Sequence, residues 1–144
     1  MKEMTIKQLS VFVENKTGRI NEVARILADH GINMTAFSLA ESADFGILRM
    51  IVSDVERAEQ VLRGARFGVN TTDVVCFCCR NVPGALATVL EHLAKEDVFI
   101  EYMYAFSQGE TAHVVIRPTD ILRCVEVLAR CPCELLSKNS LCQV

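Results

Sequence analysis

Apolar residues recur in two different periods along the first part of the chain. Residues 6–13 are mostly apolar and predict a strand, with apolar side chains on both of its faces. Residues 19–30 have the helical period instead. Their apolar positions on one predicted face are Ile20, Val23, Ala24 and Leu27. Gly31 follows, and its free access to positive φ predicts the end of the helix.

The patterns that follow predict four more elements. Asp54 is a good N-cap for the second helix, with Ala58, Val61 and Leu62 inward and Gly64 as its stop. The residues E-S-A-D at 41–44 predict a hairpin turn. The predicted strands are 32–40, 45–52 and 67–71, and the helix is 55–63. This order is the split βαβ or ferredoxin-like βαββαβ arrangement, an α+β fold whose antiparallel sheet carries its helices on one face.

The whole arrangement occurs twice, in one register and without a gap. Motif residues of the first copy recur 66 positions later, as Asn15 does at Asn81, Gly18 at Gly84 and Asp54 at Asp120. The chain is therefore predicted to be two such domains in tandem, residues 1–71 and 72–144, with only a short link near Thr72 and Asp73. The second-copy elements are strands 74–79, 98–106, 111–117 and 134–137, helices 84–95 and 120–130, and a hairpin turn at Gln108-Gly109.

Composition excludes several classes of partner. The net charge of −3, with both signs interspersed, gives no basic surface for nucleic acid or for an anionic membrane. No run of 18 apolar residues and no signal-peptide pattern occurs, so we expect a cytoplasmic protein without a membrane span. The apolar fraction of 51% is high, and strands that are apolar on both faces must be covered on both. We therefore expect the second domain or a partner chain to provide cover, and a homodimer.

All seven cysteines lie in the second copy. In a reducing cytosol they are expected to be thiols that pack as small apolar side chains. Paired C-x-x-C spacings, which zinc sites favour, do not occur, so no metal or cofactor is predicted. If the thiols do form a metal or redox site, Cys131, Cys133 and Cys76 are its expected members.

Nothing in the sequence indicates an enzyme. His30, His92 and His113 occur in no pattern that joins a nucleophile to a base, and each is expected at the surface or hydrogen-bonded at an interface. Asp54 and Asp120 each precede a predicted helix, so they are interpreted as helix caps and not as paired catalytic acids. Arg57 and Arg123, three residues after them, are expected on solvated helix faces.

The turn from Asn15 to Ile20 is the best candidate for a site. A helix N-terminus presents unpaired N–H groups and the positive end of the helix dipole, which together suit a small carboxylate. Every strand-to-helix junction needs such a turn, however, so a purely structural role stays open for either copy taken alone.

These motifs resemble those of the ACT domain, a ferredoxin-like regulatory module of amino-acid metabolism. The family's marker is an apolar strand that ends in a polar residue, then x-Pro-Gly, an apolar-periodic helix and a Gly-apolar-Asn step. Its matches here are Asn15-Lys16-Thr17-Gly18 with Gly31-Ile32-Asn33, and Asn81-Val82-Pro83-Gly84 with Asp97-Val98-Phe99. The resemblance covers nearly the whole chain as a tandem pair.

The resemblance implies a ligand site between domains. In serine-regulated members, asparagines at the positions of Asn15 and Asn33 hold an amino acid beside the helix-start N–H groups. Those groups here belong to Gly18, Arg19 and Ile20, and Thr17 replaces the family's proline. The second copy keeps Asn81 and Gly84 but has Phe99 in place of the second asparagine. Phe99, Tyr102 and Tyr104 could instead line a pocket for an apolar or aromatic side chain, or belong to a core or interface.

Three functions are weighed on this basis. The first is a non-catalytic regulatory protein that binds a small amino acid at an ACT–ACT interface and signals to an enzyme or regulator of amino-acid metabolism. The alternative is a regulatory or structural subunit that binds no ligand, resembling the small subunit of acetolactate synthase. Thiol-based metal or redox sensing is the third.

Overall fold

The structure is a computed structural model that describes residues 4–41 and 44–137. The chain divides into two compact units. The first unit is Lys7–Thr72, and the second unit combines the residues up to Ile6 with those from Asp73 onward. The predicted turn at 41–44 includes Ser42 and Ala43, which lie outside the described residues.

The first unit has the predicted order of strands and helices. Its elements are β1 (Thr5–Glu14), α1 (Arg19–Asp29), β2 (Met34–Glu41), β3 (Phe45–Val52), α2 (Val55–Gly64) and the start of β4 (Gly68–Arg80). The sheet order is β2-β3-β1-β4, and β3 is antiparallel to both of its neighbours. This confirms the ferredoxin-like α+β prediction for the unit.

The core of the first unit lies between its sheet and its two helices. In the register of β1 and β3, Leu9 faces Met50 and Val11 faces Leu48, so these side chains share one face. Val23 and Leu27 of α1, with Ala58 and Leu62 of α2, join them in a single buried cluster. Both helices therefore cover the same face, as the helical period predicts. Ile20, also predicted on that face, is instead 41% exposed.

The second unit repeats the plan. Its elements are the rest of β4, α3 (Ala85–Lys95), β5 (Ile100–Gln108), β6 (Thr111–Pro118), α4 (Ile121–Leu128) and β7 (Glu134–Leu136). In its sheet β4 pairs with β6 and β7, and β6 with β5, all antiparallel. The equivalents of Leu27 and Ala58 are Leu93 and Cys124, both buried in the second core as the repeat predicts.

The predicted short link near Thr72 and Asp73 coincides with the boundary between the two units, and there it is part of the strand β4, which runs from Gly68 to Arg80. Two other predicted details are wrong. Gly64 belongs to α2, and the left-handed residue that follows the helix is Arg66, with φ 70°. In the second hairpin Gln108 pairs with Thr111, so the two turn residues are Gly109 and Glu110.

The faces opposite the helices contain both buried and exposed apolar residues. In the first unit Ile51 is buried, whereas Phe12 is 44% exposed and contacts the edge of the Phe45 ring. None of the helices in residues 4–41 and 44–137 combines the length and the apolar character that a bilayer crossing needs.

Candidate functional site

The turn between β1 and α1 contains a glycine in the left-handed conformation. Gly18 has φ 92° and precedes the first helical residue, Arg19. A Cβ added to Gly18 would have no neighbouring atom within 4 Å, so there is room for a side chain. Glycine is favoured here by the positive φ and not by lack of space. The N–H of Lys16 donates to the carbonyl of Glu14 at 2.7 Å, which tightens the turn.

The helices differ in how their first N–H groups are satisfied. The carboxylates of Asp54 and Asp120 accept from the N–H groups of Arg57 and Arg123, at 3.2 and 3.1 Å, and so cap α2 and α4 as predicted. Helices α1 and α3 begin instead at Gly18 and Gly84, which have no side chain to accept a hydrogen bond. Their first turns can thus take an acceptor from elsewhere.

A cavity of about 250 Å³ lies beside the first of these turns. One part of its wall is apolar, and the other part contains both signs of charge together with neutral polar groups. The lining residues are Val13, Glu14, Asn15, Lys16, Thr17, Ile20, Leu39, Glu41 and Gly46. We call this the turn cavity. It explains the exposure of Ile20, whose side chain lines the cavity and is not packed in the core.

Charged side chains at the turn are already partly paired. Glu14 lies 3.1 Å from the Lys16 ammonium and 3.4 Å from the Arg19 guanidinium. The hydrogen bond and charge of Lys16, with a further contribution from Arg19, hold the pKa of Glu14 below its ordinary value. Glu14 therefore stays ionised at neutral pH and is paired with Lys16, and both residues line the turn cavity.

Arg19 and Gly18 do not line the turn cavity. The side chain of Arg19 contacts Glu22 at 3.1 Å and lines a separate cavity of about 480 Å³ with Phe12, Arg66 and Gly68. Of the first-copy residues predicted to bind ligand, the structure thus brings together Asn15, Thr17 and Ile20.

Asn33 lies at the opposite end of α1 from Asn15. Its N–H donates to Ser53 Oγ at 2.9 Å, and its carbonyl accepts from the Ser53 N–H at 3.0 Å. The 11 residues of α1 separate the two asparagines by about 16 Å along the helix axis. The first unit by itself does not bring them into one site.

The second unit has a comparable turn with different chemistry. Gly84 has φ 89°, and the N–H of Asn81 donates to the Glu110 carbonyl at 2.8 Å. Gly84 lines a cavity of about 280 Å³ with Arg80, Val82, Ala85, Thr88 and Pro132.

Phe99 does not lie at this turn. It precedes β5, at the far end of α3 from Gly84, and is 69% exposed. Tyr102 and Tyr104 alternate on β5 opposite Arg117 and Val115, so they share one face of the sheet.

Sequence reasoning missed part of the lining of the turn cavity. Lys16 lies within the turn itself and could have been found as a cation beside the predicted carboxylate cradle. Leu39 and Glu41 reach the cavity from the end of β2, where Glu41 is opposite Gly46 of β3. No local pattern reports that pairing, because it depends on the register of two strands.

The histidines follow the prediction in two cases of three. His30 is exposed, with its Nδ1 at 2.8 Å from the Ile26 carbonyl, and His92 is exposed on α3. His113 contradicts it, since the residue is buried and its Nδ1 has no hydrogen-bond partner among the described residues. Arg123 is predicted on a solvated helix face, but its guanidinium also contacts Glu96 at the end of α3.

Six cysteines lie in the described residues, and all six are free. Burial raises the pKa of the Cys76 and Cys124 thiols to about 12, so these two behave as apolar side chains. Residues 4–41 and 44–137 contain no group of three or more His, Cys, Asp or Glu placed to hold a metal ion.

The chain is similar to known proteins in sequence and in fold. The model of the ACT domain pair family matches residues 4–144. A search of curated proteins found no significant match. Among solved structures, a Bacteroides thetaiotaomicron protein is 52% identical, with a TM-score of 0.94 and 98% of each chain covered.

Two more distant structures share the fold alone. The regulatory subunit of aspartate kinase from Thermus thermophilus, in a ligand-free form, has a TM-score of 0.65 and 13% identity, with 90% of this chain and 93% of that chain covered. The corresponding subunit from Thermus flavus has a TM-score of 0.63 and 14% identity, covering 86% and 90%.

Proposed function

The chain belongs to the ACT domain pair family, and from this we propose that it is a non-catalytic regulatory protein that binds a small amino acid. The ligand would lie in the turn cavity of the first unit and be sensed by an enzyme or regulator of amino-acid metabolism. A cytoplasmic location is part of the proposal.

One observation carries the proposal: the turn cavity combines a cation, an anion and an apolar wall within about 250 Å³. An α-amino acid offers the complementary groups. Its carboxylate would accept from the Lys16 ammonium and from the N–H of Ile20, the first-turn residue of α1 that lines the cavity. Its ammonium would donate to Glu41 and to the Asn15 side-chain oxygen, while Val13, Ile20 and Leu39 would contact a short side chain.

A second copy of the chain would complete the site with Asn33. The first unit cannot supply Asn33 to its own turn cavity, because α1 separates the two. Strand β2 is an edge strand, and Phe37 and Leu39 on it are 60% and 50% exposed. An exposed edge with large apolar side chains favours pairing with another chain, so we propose a homodimer. The predicted residues Asn81, Gly84 and Phe99 belong to the second unit and would not take part in this site, and Phe99 lies at the opposite end of α3 from the other two.

The test is a thermal-shift screen of the full chain against the twenty amino acids and several 2-keto acids. Ligand at 100 times its Kd adds about 2.7 kcal/mol to the free energy of unfolding, which raises Tm by several degrees. Asn15→Ala and Asn33→Ala should each abolish the shift in protein that remains folded. Asn81→Ala, the same change at the equivalent turn, should keep it.

A flat screen of well-folded protein would count against the amino-acid proposal and favour the second candidate. In that case the chain would be a structural or regulatory subunit of a larger enzyme, with Phe37 and Leu39 in the contact. Co-purification with an enzyme of amino-acid metabolism, lost in Phe37→Asp, would support this candidate, and a chain that purifies alone would contradict it.

A further inference from the structure

Cys79 lies on β4, and Cys133 is the residue immediately before β7, the strand that pairs with this part of β4. In the antiparallel pair of β4 and β7, Cys76 faces Leu136, Phe77 faces Leu135 and Cys78 faces Glu134. Continuing this register by one residue beyond the strand would bring Cys79 opposite Cys133. Opposed residues of an antiparallel pair have Cα atoms about 4.5–5.5 Å apart. That separation lies within the range of about 4.4–6.8 Å that a disulfide bridges.

The two side chains also share a face and an opening. Cys79 belongs to the apolar cluster of the second unit, and Cys133 packs against the same cluster. Both line a cavity of about 260 Å³ together with Cys78, Arg80 and Glu134. A small oxidant can therefore reach the pair from this cavity.

The first unit has no thiols at the equivalent places. Val13 and Phe67, 66 positions earlier, stand where Cys79 and Cys133 stand, and both pack in the first core. The fold thus accepts an ordinary apolar pair at this point. Packing alone does not require cysteine at either position.

We propose that Cys79 and Cys133 are a redox modification site, which hydrogen peroxide converts into a cross-strand disulfide between β4 and β7. The disulfide closes a loop that contains most of the second unit and ties down β7, a strand of three residues. Pro132 and Arg80 line both this cavity and the one beside Gly84. Oxidation therefore restrains one wall of the second-unit turn.

The chemistry proceeds in two balanced steps. Cys133, the more exposed of the pair, attacks one peroxide oxygen as its thiolate, the O–O bond breaks, and the hydroxide that leaves takes up the thiol proton as water. Cys79 then attacks the sulfenic sulfur of Cys133. The S–S bond forms, the S–O bond breaks, and a second water carries away the Cys79 proton. One peroxide is reduced for each disulfide formed.

The surroundings set the reactivity of the pair. Burial raises the pKa of the Cys133 thiol to about 12, with a further contribution from the neighbouring cysteines, and burial also raises the pKa of Cys79. At neutral pH both are therefore almost entirely protonated, and because only the small thiolate fraction of Cys133 attacks peroxide, the disulfide forms slowly, under sustained exposure to oxidant.

The test treats the full chain with hydrogen peroxide or with dithiothreitol and maps its peptides by mass spectrometry without reduction. We expect oxidised protein to lose the mass of two hydrogen atoms, to yield one peptide that links Cys79 with Cys133, and to melt at least several degrees above the reduced form. Dithiothreitol should reverse all three changes.

Variants separate this pair from the other thiols. Cys79→Val, which places the first-unit residue at this position, and Cys133→Ala should abolish the linked peptide and the rise in Tm. Cys131→Ala removes a nearby thiol and should leave both unchanged. Linkage of Cys133 to Cys78 or Cys131, oxygen adducts without a disulfide, or no reaction in the wild type would each overturn the proposal, even if a variant failed to fold.

Discussion

His113 is a buried residue whose ring has an unsatisfied nitrogen atom. It lies on β6, only 8% exposed, with its ring stacked on Phe106 at a centroid distance of 4.8 Å. Its Nδ1 has no hydrogen-bond partner within the described part of the chain. Burial disfavours the imidazolium form and lowers the pKa of His113 below the ordinary value of 6.5. The folded protein therefore holds this ring neutral at neutral pH.

The stability of the protein should consequently fall on acidification. Because the pKa of His113 is lower in the folded than in the unfolded state, the unfolded state binds more protons once the pH drops below about 6.5. The contribution is present above that pH and is lost as the pH falls toward the folded-state pKa. Urea denaturation at pH 7.5 and pH 5.5 measures the difference.

Substitution of His113 measures its contribution to the loss of unfolding free energy at acidic pH. In His113→Phe, which keeps a ring against Phe106, the loss of unfolding free energy between the two pH values should be smaller than in the wild type. His30→Gln, at an exposed histidine, should leave the loss unchanged. An equal loss in His113→Phe and wild type would contradict this assignment.

At the scale of elements, the four helices within the described residues begin in two ways that alternate along the chain. Asp54 and Asp120 cap α2 and α4 with their own carboxylates, whereas Gly18 and Gly84 start α1 and α3 without a side-chain acceptor. A helix whose first N–H groups are already satisfied has less to offer a ligand. The first turns of α1 and α3 thus lack a side-chain acceptor, and the proposed site uses this property of α1.

Removing either cap should weaken the fold by a similar amount. Asp54→Ala and Asp120→Ala each leave a first-turn N–H without its acceptor, and each should lower the free energy of unfolding by about 1 kcal/mol. Chemical denaturation measures both. Asp54→Asn and Asp120→Asn keep a side-chain oxygen and should lose much less, so equal losses for Ala and Asn would refute the capping role.

At the scale of the whole molecule, the proposed site depends on a second copy. Asn15 and Asn33 lie at opposite ends of α1, so a site that uses both takes one from each chain. The exposed Phe37 and Leu39 on β2 provide an apolar contact for such an assembly. Assembly and ligand binding should then be lost together.

Phe37→Asp should convert the dimer into a monomer and abolish the ligand-induced rise in Tm. Because Phe37 is 60% exposed, the monomer should remain folded. Size-exclusion chromatography with light scattering, at micromolar concentration, measures the mass. Leu122→Asp, a matched change at an exposed apolar residue of the second unit, should leave the dimer intact. A wild-type protein that is already monomeric would contradict the homodimer.

The elements and their order could be predicted from the sequence, because periods of hydrophobicity and helix caps are local properties. The two apolar periods, Asp54 and Asp120 as caps, and the repeat at 66 positions together predict a pair of ferredoxin-like domains. The same local signals place Gly18 and Gly84 at turns, where both adopt positive φ.

Only the tertiary structure decided which side chains meet, because strand register and helix length act over distances that no local pattern reports. Register brings Leu39 and Glu41 to Asn15 and Lys16, and the pairing of β4 with β7 brings Cys79 and Cys133 to one cavity. The length of α1 keeps Asn33 away from Asn15, although the sequence motif joins the two. The sequence by itself therefore determined the fold and the position of the turn proposed to bind a ligand, and the packing of distant strands determined which side chains surround that turn.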